Sequence, residues 1–386
     1  MKKIIIIFAA AMLVFACSGP KKEIEPYVNF LKKQNTSAKD YVLSLFENHD
    51  IVILCERLHA ELTQYNLILD IIRDQYFIDN VGVVFTEIGI RELNPDLNNF
   101  LRNPHLTESE INKQLLHFQR NAGFPMWENT NFSYFLKGIH DINKEIIEKK
   151  VKLYPTDIWY MQGQPTAEKF RDLWDTKVKH RDSLMADYII ARFDELKQKN
   201  PRQKALVIMN YRHAFKIYNN VGRFLFDKYP DRVANVMINN VGFAEVRSDN
   251  DVDFTALQDG KWDAAFRKTN KNNTGFNFKG SPFGKDNFDY FPWFEEELTY
   301  SEMFTGFVFY QPIEKFELTV GVPGMMDDGW LEKFFEQFKL FDQVLGREIL
   351  TDKNELKRYN DTHIFNIFDE DELATMIKSQ IQKWLK

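Results

Sequence analysis

The first half of the chain alternates short aliphatic runs with longer stretches whose apolar residues recur at helical spacing. Such runs are typical of buried strands, and fully aliphatic strands are typical of a parallel sheet covered on both faces. We predict five strands of this kind, at Ile51–Cys55, Val81–Thr86, Val151–Pro155, Ala205–Met209 and Val233–Ile238.

The stretches between these strands predict helices. The longer ones are Glu61–Tyr76, Asn131–Lys149, Ala167–Lys199 and Phe215–Tyr229. An insert between Arg91 and Gly123 predicts two shorter helices, and Thr107-x-x-Glu110 forms a capping box at the start of the second. Strands that alternate with helices predict an α/β fold, with a largely parallel sheet and helices on both of its faces.

The pattern changes after Val241. Residues 241–386 hold 19 of the 35 phenylalanines, and Asp249–Trp293 lacks helical periodicity, so we predict loops and short strands there. Beyond it we predict strands at Phe304–Tyr310 and Phe316–Gly321, and amphipathic helices at Trp330–Leu345 and Glu370–Leu385. This aromatic-rich C-terminal region either forms a second lobe or extends the first sheet, and the sequence leaves both open.

The N-terminus has the features of an export signal. Lys2 and Lys3 precede an apolar run from Ile4 to Ala16, which is too short for a membrane-spanning helix and has the length of a signal-peptide core. The segment Val14-Phe15-Ala16-Cys17 resembles a bacterial lipoprotein box, which implies cleavage before Cys17 and attachment of lipid chains to it. The alternative is an ordinary secretory signal that happens to contain a cysteine.

These features divide the chain into four parts. We predict a signal peptide at 1–16, a lipid anchor and tether at 17–36, an α/β core at 37–245 and an α+β C-terminal extension at 246–386. Several acyl chains anchor a protein stably, whereas a single chain binds a membrane only marginally. We therefore expect a membrane-anchored lipoprotein of the bacterial cell envelope, in the outer membrane or facing the periplasm.

Charge and cysteine content narrow the function further. Removal of residues 1–16 would leave 48 basic and 56 acidic residues with no long basic run, which disfavours binding to nucleic acid. The chain has two cysteines. Lipidation of Cys17 would therefore leave Cys55 as the only thiol and exclude an intramolecular disulfide.

Polar and ionisable residues follow four of the five predicted strands. In an open parallel sheet, ligands bind beyond the carboxyl ends of the strands, where the loops converge. In chain order these residues are Glu56 and His59, then Glu87, then Asp157, and finally Asn210 and His213. We therefore expect them to share one edge of the sheet and to form a candidate site.

Each of these residues also has a structural interpretation. Glu56 could place its charge near a helix N-terminus, and Asp157 could cap a loop. His59 and His213 could be hydrogen-bonded structural histidines. Cys55 is most simply a small residue at a crowded strand end, since its use as a nucleophile would require a thiol pKa lowered by a base such as His59.

A metal site receives little support from residue spacing. No His-x-x-x-His pair occurs, and Glu56-x-x-His59 is the only Glu-x-x-His, whereas a di-iron bundle uses two such pairs. Zinc or iron held by Glu56, His59, Glu87 and His213 therefore stays an open alternative.

The same residues resemble the superfamily that joins erythromycin esterases with the ChaN-like haem-binding lipoproteins. Its first motif, a strand followed by Gly-Glu-x-x-His, is matched by Cys55-Glu56-Arg57-Leu58-His59, and its second, a strand that ends in glutamate, by Glu87. The Arg-Asp-x-x-Met-Ala of the esterase branch is present as Arg181-Asp182-Ser183-Leu184-Met185-Ala186, and its late His-Asn-x-His as Asn210-Tyr211-Arg212-His213. The resemblance covers roughly residues 45–240.

The resemblance implies roles for these residues, beginning with a histidine that activates water. Carried over, His59 is the general base, Glu56 and Glu87 orient or polarise it, and His213 is an acid or oxyanion donor. We assign substrate binding to four further residues, Asp157, Asn210, Arg181 and Arg57. This chain departs from the pattern where Cys55 replaces the glycine of the first motif, and where Asn210, which cannot shuttle protons, replaces the first histidine of the late motif.

Two functions from different classes fit these residues. The first is an envelope hydrolase that acts on an ester or related acyl bond through a water activated by His59, and that requires no cofactor. The second is a lipid-anchored binding protein that keeps the cleft without turnover. The resemblance to the ChaN-like proteins implies haem as one candidate ligand, with Tyr154, Tyr160 and Tyr211 as candidate haem-iron ligands, and a divalent metal is another. Both have a small-molecule partner, and we prefer the hydrolase; a structural lipoprotein with a relic site is a third alternative.

Overall fold

The protein is described by a computed structural model that covers residues 20–123, 126–148, 150–158, 166–248, 251–291, 297–346, 352–366 and 371–386. Cys17 and the predicted signal peptide lie outside these residues, as does Tyr160. Within the covered ranges, no helix combines the length and the apolar character that a membrane crossing requires.

A seven-stranded sheet forms the centre of the fold. The strands in the described parts of the chain are β1 (Ile51–Glu56), β2 (Val83–Ile90), β3 (Lys152–Asp157), β4 (Ala205–Asn210), β5 (Val233–Ile238), β6 (Val241–Ser248), β7 (Asp251–Ala256), β8 (Asn273–Asn277), β9 (Gly306–Tyr310), β10 (Glu317–Val320) and β11 (His363–Asn366). The central sheet has the order β3-β2-β4-β1-β5-β9-β8, and all its neighbouring strands are parallel except β8, which is antiparallel to β9. The pairs β6–β7 and β10–β11 form two small antiparallel sheets.

Helices cover both faces of this sheet. They are α1 (Pro20–Leu31), α2 (Ala38–Leu45), α3 (Thr63–Arg73), α4 (Gln75–Asn80), α5 (Asn94–Arg102), α6 (Glu108–Gln119), α7 (Asn131–Glu145), α8 (Ala167–Thr176), α9 (Arg181–Lys199), α10 (Val221–Lys228), α11 (Lys261–Thr269), α12 (Tyr300–Met303), α13 (Trp330–Leu345), α14 (Lys353–Leu356) and α15 (Asp371–Leu385). The predicted fold class, an α/β fold with a largely parallel sheet and an aromatic-rich C-terminal region, is confirmed.

Successive residues of the central strands enter two different hydrophobic cores. In β1, Ile51, Ile53 and Cys55 belong to the core under α1, α9 and α11, whereas Val52 and Leu54 belong to the core under α2, α3 and α7. Side chains of a strand point alternately to opposite faces, so a strand buried on both sides must be apolar throughout. This double burial explains the unbroken aliphatic run of β1.

The C-terminal region extends the central sheet, which resolves the alternative that the sequence left open. Strand β9 pairs in parallel with β5, with Val236 opposite Gly306, and β8 pairs with the outer side of β9. The expected boundary at residue 245 falls inside β6. A third, smaller hydrophobic core joins α8 to α13 and α14 through residues such as Phe170 and Phe341.

Helix α1 lies within the segment that we expected to act as a tether. Its residues Ile24, Tyr27 and Leu31 are buried in the main core, and the helix packs against α11 and α15. Tyr27 also donates a hydrogen bond to Asp286 over 2.6 Å. The part of the chain from residue 20 onward is therefore integrated into the fold.

Some predicted helices are interrupted in the structure. Asp74 leaves the helical conformation and its side chain accepts a hydrogen bond from the backbone N–H of Tyr76, so it ends α3 and begins α4. The long helix predicted at Ala167–Lys199 breaks at Lys177, and a 3-10 turn at Val178–His180 separates α8 from α9. This break places Arg181 and Asp182 in the first turn of α9, at the edge of the sheet.

Helix α11 lies in a stretch for which we predicted loops and short strands. The short strands β7 and β8 in this stretch confirm part of that prediction, but the helix was missed. Gly260 and Asn270 adopt positive φ angles of 80° and 52° at its two ends, and Gly260 is in close contact with the backbone of α15. The helix buries Trp262 and Phe266, but it also buries the charged Asp263. An acidic residue on the buried face obscures the apolar periodicity that would otherwise indicate a helix.

Tyr41 of α2 packs against the backbone of strands β8 and β9. A Cβ atom added to Gly306 of β9 would lie 1.8 Å from the hydroxyl of Tyr41, and one added to Gly275 of β8 would lie 2.4 Å from its Cβ. The hydroxyl also donates a hydrogen bond to Asn277 over 2.7 Å. Glycine is therefore required at both positions for α2 to cover this side of the sheet.

Gly306→Ala tests the docking of α2 on β9. Because the new methyl group overlaps Tyr41, we expect the free energy of unfolding to fall by about 2–3 kcal/mol, measured by urea denaturation. Gly280→Ala is the matched control: its Cβ would meet nothing within 4 Å, although its φ is +85°. The control should lose only about 1 kcal/mol. Equal losses in the two variants would contradict the proposed packing.

Candidate functional site

Four parallel strands deliver the predicted site residues to one edge of the sheet. Glu56 is the last residue of β1, Asp157 of β3 and Asn210 of β4, while Glu87 lies near the end of β2 and His213 in the 3-10 turn after β4. All five side chains are buried or nearly so. The carboxyl ends of parallel strands meet at the same edge, so the topology brings these residues together.

Glu56 and His59 face each other at the end of β1. The Oε2 atom of Glu56 lies 3.8 Å from Nδ1 of His59, and neither buried atom has a hydrogen-bond partner. The other oxygen of Glu56, Oε1, accepts a hydrogen bond from the hydroxyl of Tyr65 over 2.6 Å. The His59 ring packs edge-on against Trp127, with 4.8 Å between ring centroids. His59 keeps 39% of its side chain exposed to solvent, although its Nδ1 atom is buried.

The loop that carries His59 is held by a buried ion pair. Arg57 donates to Oε2 of Glu61 over 3.1 Å, and neither side chain is accessible to solvent. Glu61 also accepts hydrogen bonds from the backbone N–H groups of Thr63 and Gln64, and the Gln64 amide accepts one from the backbone of Arg57 over 2.7 Å. These contacts join residues 57–61 to the first turn of α3.

Arg57, which we assigned to substrate binding, is fully buried and bonded to other parts of the chain. Its guanidinium donates to the carbonyl and side-chain oxygens of Asn239 over 2.7 Å and to the carbonyl of Tyr310, and lies 3.8 Å above the Phe316 ring. Asn239 directly follows β5, and Tyr310 is the last residue of β9. Arg57 thus connects the ends of β1, β5 and β9.

Arg181 links the carboxylates at the ends of β2 and β3. Its Nε and Nη2 atoms donate to Asp157 over 2.8–3.0 Å, and Nη2 also donates to Oε1 of Glu87 over 2.9 Å. The other oxygen of Glu87 accepts the backbone N–H of Asn210 over 3.0 Å. A bulge between Thr86 and Ile90 interrupts the pairing of β2 with β3 beside Glu87. Arg181 consequently bridges two carboxylates with a single positive charge.

His213 lies between two carboxylates, one of which the sequence interpretation did not include. Its Nδ1 atom is 2.6 Å from Oδ1 of Asp182, and its Nε2 atom is 3.3 Å from Oε1 of Glu87. Nη1 of Arg181 approaches the same Nε2 to 3.3 Å. Asp182 directly follows Arg181 in the Arg-Asp-x-x-Met-Ala motif, so the signal for it was present in the sequence.

Burial shifts the acid–base properties of Glu56 and His59 in opposite directions. Desolvation raises the pKa of Glu56 to about 8, although the Tyr65 hydroxyl opposes this by stabilising the carboxylate. Desolvation likewise lowers the pKa of His59 to about 4. Both side chains are therefore neutral between these two values, and Glu56 holds the only exchangeable acid proton of the pair.

Glu87 and His213 are shifted towards their charged forms. Burial alone would raise the pKa of Glu87, but His213 and Arg181 hold it well below its usual value. Burial alone would lower the pKa of His213, but Glu87 and Asp182 raise it to about 9. His213 is therefore a cation at neutral pH, and its close approach to the Arg181 guanidinium is tolerated because Glu87 lies beside both.

The side chains of Asn210 and Cys55 are buried and make structural contacts. The Asn210 side chain is buried and donates to the carbonyl of Arg57 over 3.2 Å, so it ties β4 to the loop after β1. Cys55 is buried in the main core, and desolvation raises the pKa of its thiol well above the usual value. A thiol in this state is a poor nucleophile, which leaves the histidines and carboxylates as the reactive groups.

The described residues offer limited support for a metal or haem group. They contain no set of three His, Cys, Asp or Glu side chains arranged to hold a metal ion. The Arg181 guanidinium stands between Glu87 and Asp157, where a cation would otherwise be needed. Of the tyrosines considered as haem-iron ligands, Tyr154 packs against Phe85 and Tyr211 packs among Phe243, Tyr290 and Phe291.

Comparison with known proteins gives similarity at the level of the fold. No protein-family model and no curated protein sequence matches the chain. A succinoglycan biosynthesis protein matches 75% of this chain and 97% of its own at 11% identity, with a TM-score of 0.51. A mutant of the erythromycin esterase EreC in its open conformation matches 69% of this chain and 91% of its own at 12% identity, with a TM-score of 0.47.

ChaN of Campylobacter jejuni, in a structure that shows cofacial haem binding, matches 56% of this chain and 89% of its own at 15% identity, with a TM-score of 0.34. At these identities the similarity concerns the fold alone. The function must be argued from the side chains.

The charged state of His213 should make stability depend on pH. Its folded pKa of about 9 exceeds the usual value of 6.5, so its contribution is fully present below pH 6.5 and is lost as pH rises through 9. Asp182→Asn removes one of the two anions that raise this pKa. We expect the decrease in unfolding free energy between pH 6.5 and 10 to be smaller by about 1–2 kcal/mol in this variant.

Urea denaturation at fixed ionic strength across this pH range measures the effect. Asp227→Asn is the control, because it breaks an exposed ion pair with Arg223 on α10 and should leave the pH dependence unchanged. The same pH dependence in Asp182→Asn and in the parent protein would show that Asp182 does not hold His213 in its charged form.

Proposed function

We propose that the protein is a hydrolase that cleaves an ester or related acyl bond, with His59 as the general base. The observation that carries this proposal is the pair of unpartnered, buried atoms, Glu56 Oε2 and His59 Nδ1, which face each other over 3.8 Å. Unsatisfied polar atoms are costly in a protein interior and are retained where they serve a function. The accessible edge of the His59 ring is then available to a water molecule.

In the proposed reaction, Nδ1 of His59 is directed at Glu56, so the base is the other ring nitrogen, Nε2. Water attacks the acyl carbon while its proton passes to Nε2. The resulting imidazolium is stabilised by the Glu56 carboxylate, and the same proton is then delivered to the oxygen of the departing alcohol. Because Glu56 holds a proton below about pH 8, kcat/KM should rise as the pH approaches 8.

A second cluster of charged side chains lies next to this acid–base pair. Asn210 links the two, because its backbone N–H donates to Glu87 and its side chain donates to the carbonyl of Arg57, two residues before His59. The cluster holds the cations Arg181 and His213 among the carboxylates of Glu87, Asp157 and Asp182. We keep for the cationic His213 the role of an acid or oxyanion donor, acting through Nε2, whose contact with Glu87 is the longer of its two carboxylate contacts at 3.3 Å. Above about pH 9 His213 loses its proton, so the rate should fall again.

The site also fits the alternative function of ligand binding without turnover. Between pH 4 and pH 8 both Glu56 and His59 are neutral, so the base is weak at neutral pH. A neutral, partly open cleft can bind a small uncharged ligand as readily as a reacting ester. Hydrolysis is preferred because ligand binding alone does not require an acid and a base directed at each other.

His59→Asn tests the general base, since it keeps a hydrogen-bonding side chain but removes the proton acceptor. We expect kcat/KM towards a panel of small acyl esters and lactones to fall by about 10²–10⁴-fold, because a positioned acid–base group contributes on this scale. Thermal unfolding should change little, since the ring is partly exposed. His105→Asn, at an exposed position between α5 and α6, is the matched control.

Three results would contradict the role of His59. Unchanged hydrolysis in His59→Asn would show that another group is the base. A large loss of thermal stability would show that the histidine is structural. If the parent protein hydrolyses nothing on the panel but binds haem in an absorbance titration, the ligand-binding function replaces the hydrolase.

We also propose that the protein acts at the bacterial cell envelope, anchored through lipid on Cys17. Support comes from the basic residues Lys2 and Lys3, the short apolar run that follows them, and the lipoprotein-like sequence before Cys17. A small-molecule substrate would then meet the site outside the cytoplasm.

Cys17→Ala tests the anchor. The parent protein should be found in the membrane fraction with a lipid-modified N-terminal peptide, detectable by mass spectrometry. The variant should lack this modification and lose its membrane attachment, because the acyl chains provide the binding energy. Cys55→Ala is the control, because Cys55 lies in the folded core. An unmodified Cys17 in the mature parent protein would contradict the proposal.

A further inference from the structure

Tyr65 occupies a special position with respect to the acid–base pair, and no role has been assigned to it. It is fully buried, and its hydroxyl donates to Oε1 of Glu56 over 2.6 Å. This leaves Oε2 of Glu56 as the only carboxyl oxygen directed at Nδ1 of His59. We propose that Tyr65 is a positioning residue, whose hydroxyl fixes the Glu56 carboxyl group so that one defined oxygen serves His59.

The Tyr65 hydroxyl cannot easily point elsewhere, because the residue is fixed at both its backbone and its ring. It lies in the first turn of α3, where Glu61 accepts the backbone N–H groups of the two preceding residues. Its ring packs against Phe135 of α7, with ring centroids 5.3 Å apart. The donor is therefore preorganised before any substrate binds.

The hydrogen bond also affects how readily Glu56 gives up its proton. The Tyr65 hydroxyl donates a hydrogen bond that is stronger to a carboxylate than to a neutral carboxyl group, and it therefore opposes the desolvation that favours the protonated form. Without the hydroxyl, the pKa of Glu56 should rise by about one unit. Tyr65 would then set the lower pH limit of the reaction as well as the geometry of the pair.

Tyr65→Phe is the direct test, because it removes the hydroxyl and keeps the ring. The inference rests on the proposed hydrolase function for its kinetic part, where we expect kcat to fall about 10-fold at pH 7 with little change in KM. The rising limb of the pH–rate profile should move up by about one unit, so the variant recovers towards the parent rate as the pH approaches 9. A purely structural loss would lower the rate by the same factor at every pH.

A second measurement does not depend on catalysis. The protonation of Glu56 can be followed by carboxyl ¹³C NMR or by infrared difference spectroscopy, with Glu56→Gln identifying its signal. The pH at the midpoint of the Glu56 titration should be higher in Tyr65→Phe than in the parent protein. Tyr134→Phe is the matched control, because Tyr134 also donates to a side chain of α3, Asn66, over 2.7 Å, but from an exposed position. This control should change neither the midpoint of the Glu56 titration nor the rate of hydrolysis.

The two measurements separate the positioning role from the hydrolase function. If the Glu56 midpoint is unchanged in Tyr65→Phe, the positioning role is overturned, whatever the rates. If the midpoint moves but the parent protein hydrolyses none of the esters or lactones, Tyr65 positions Glu56 in a site that is not a hydrolase. If the variant fails to fold, Tyr65→Met, which keeps a long apolar side chain but has no hydroxyl, replaces it, and an unmoved midpoint there would overturn the inference.

Discussion

The buried ion pair between Arg57 and Glu61 is the constraint on which the site depends. Two charges without solvent are stable only when their remaining hydrogen-bonding groups are satisfied, and here the strand ends and the first turn of α3 provide the partners. The pair fixes residues 57–61 as a rigid loop. His59 lies in the middle of that loop, so its orientation depends on the contacts of its neighbours as well as on its own packing against Trp127.

The carboxylates of the site are of two kinds, those in contact with a cation and those without such a contact. Glu87 and Asp157 are paired with Arg181, and Glu87 also with His213, so the pKa shifts of Glu87 and His213 favour their charged forms. Glu56 has no cation in contact and is kept neutral by burial over much of the pH range. Acid–base chemistry needs a group that can change its charge, and a fully compensated carboxylate cannot do so easily. The arrangement of cations therefore identifies Glu56 and His59 as the reactive pair.

Much of the sheet and of the site edge could be predicted, because both depend on signals that are local in the sequence. An aliphatic run followed directly by a polar residue marks a strand and its end, which placed Glu56, Asp157 and Asn210 at the ends of their strands. The role of Arg57 could not be predicted in this way. Its partners Asn239 and Tyr310 are 182 and 253 positions away, and a charged residue in a polar motif suggests exposure.

Tyr65 was missed for a related reason. It lies in a helix whose other buried residues are mostly aliphatic, so the pattern indicates packing and gives no sign that its hydroxyl reaches Glu56. Asp182 was missed although it lies inside a recognised motif, because only the three-dimensional fold brings α9 next to the turn that holds His213. Pairwise geometry between distant segments is the information that periodicity and composition lack.

The position of β9 between β5 and β8 has a consequence for the order in which the chain folds. The hydrogen bonds that join Asn235 to Thr305, at the start of this pairing, link residues 70 positions apart. Until β9 is synthesised, β5 presents an unprotected and mostly apolar edge, and Arg57 lacks one of its acceptors. Such long-range parallel pairing is slow and leaves intermediates prone to aggregation. A chain of this topology would benefit from being kept unfolded until its last third is available.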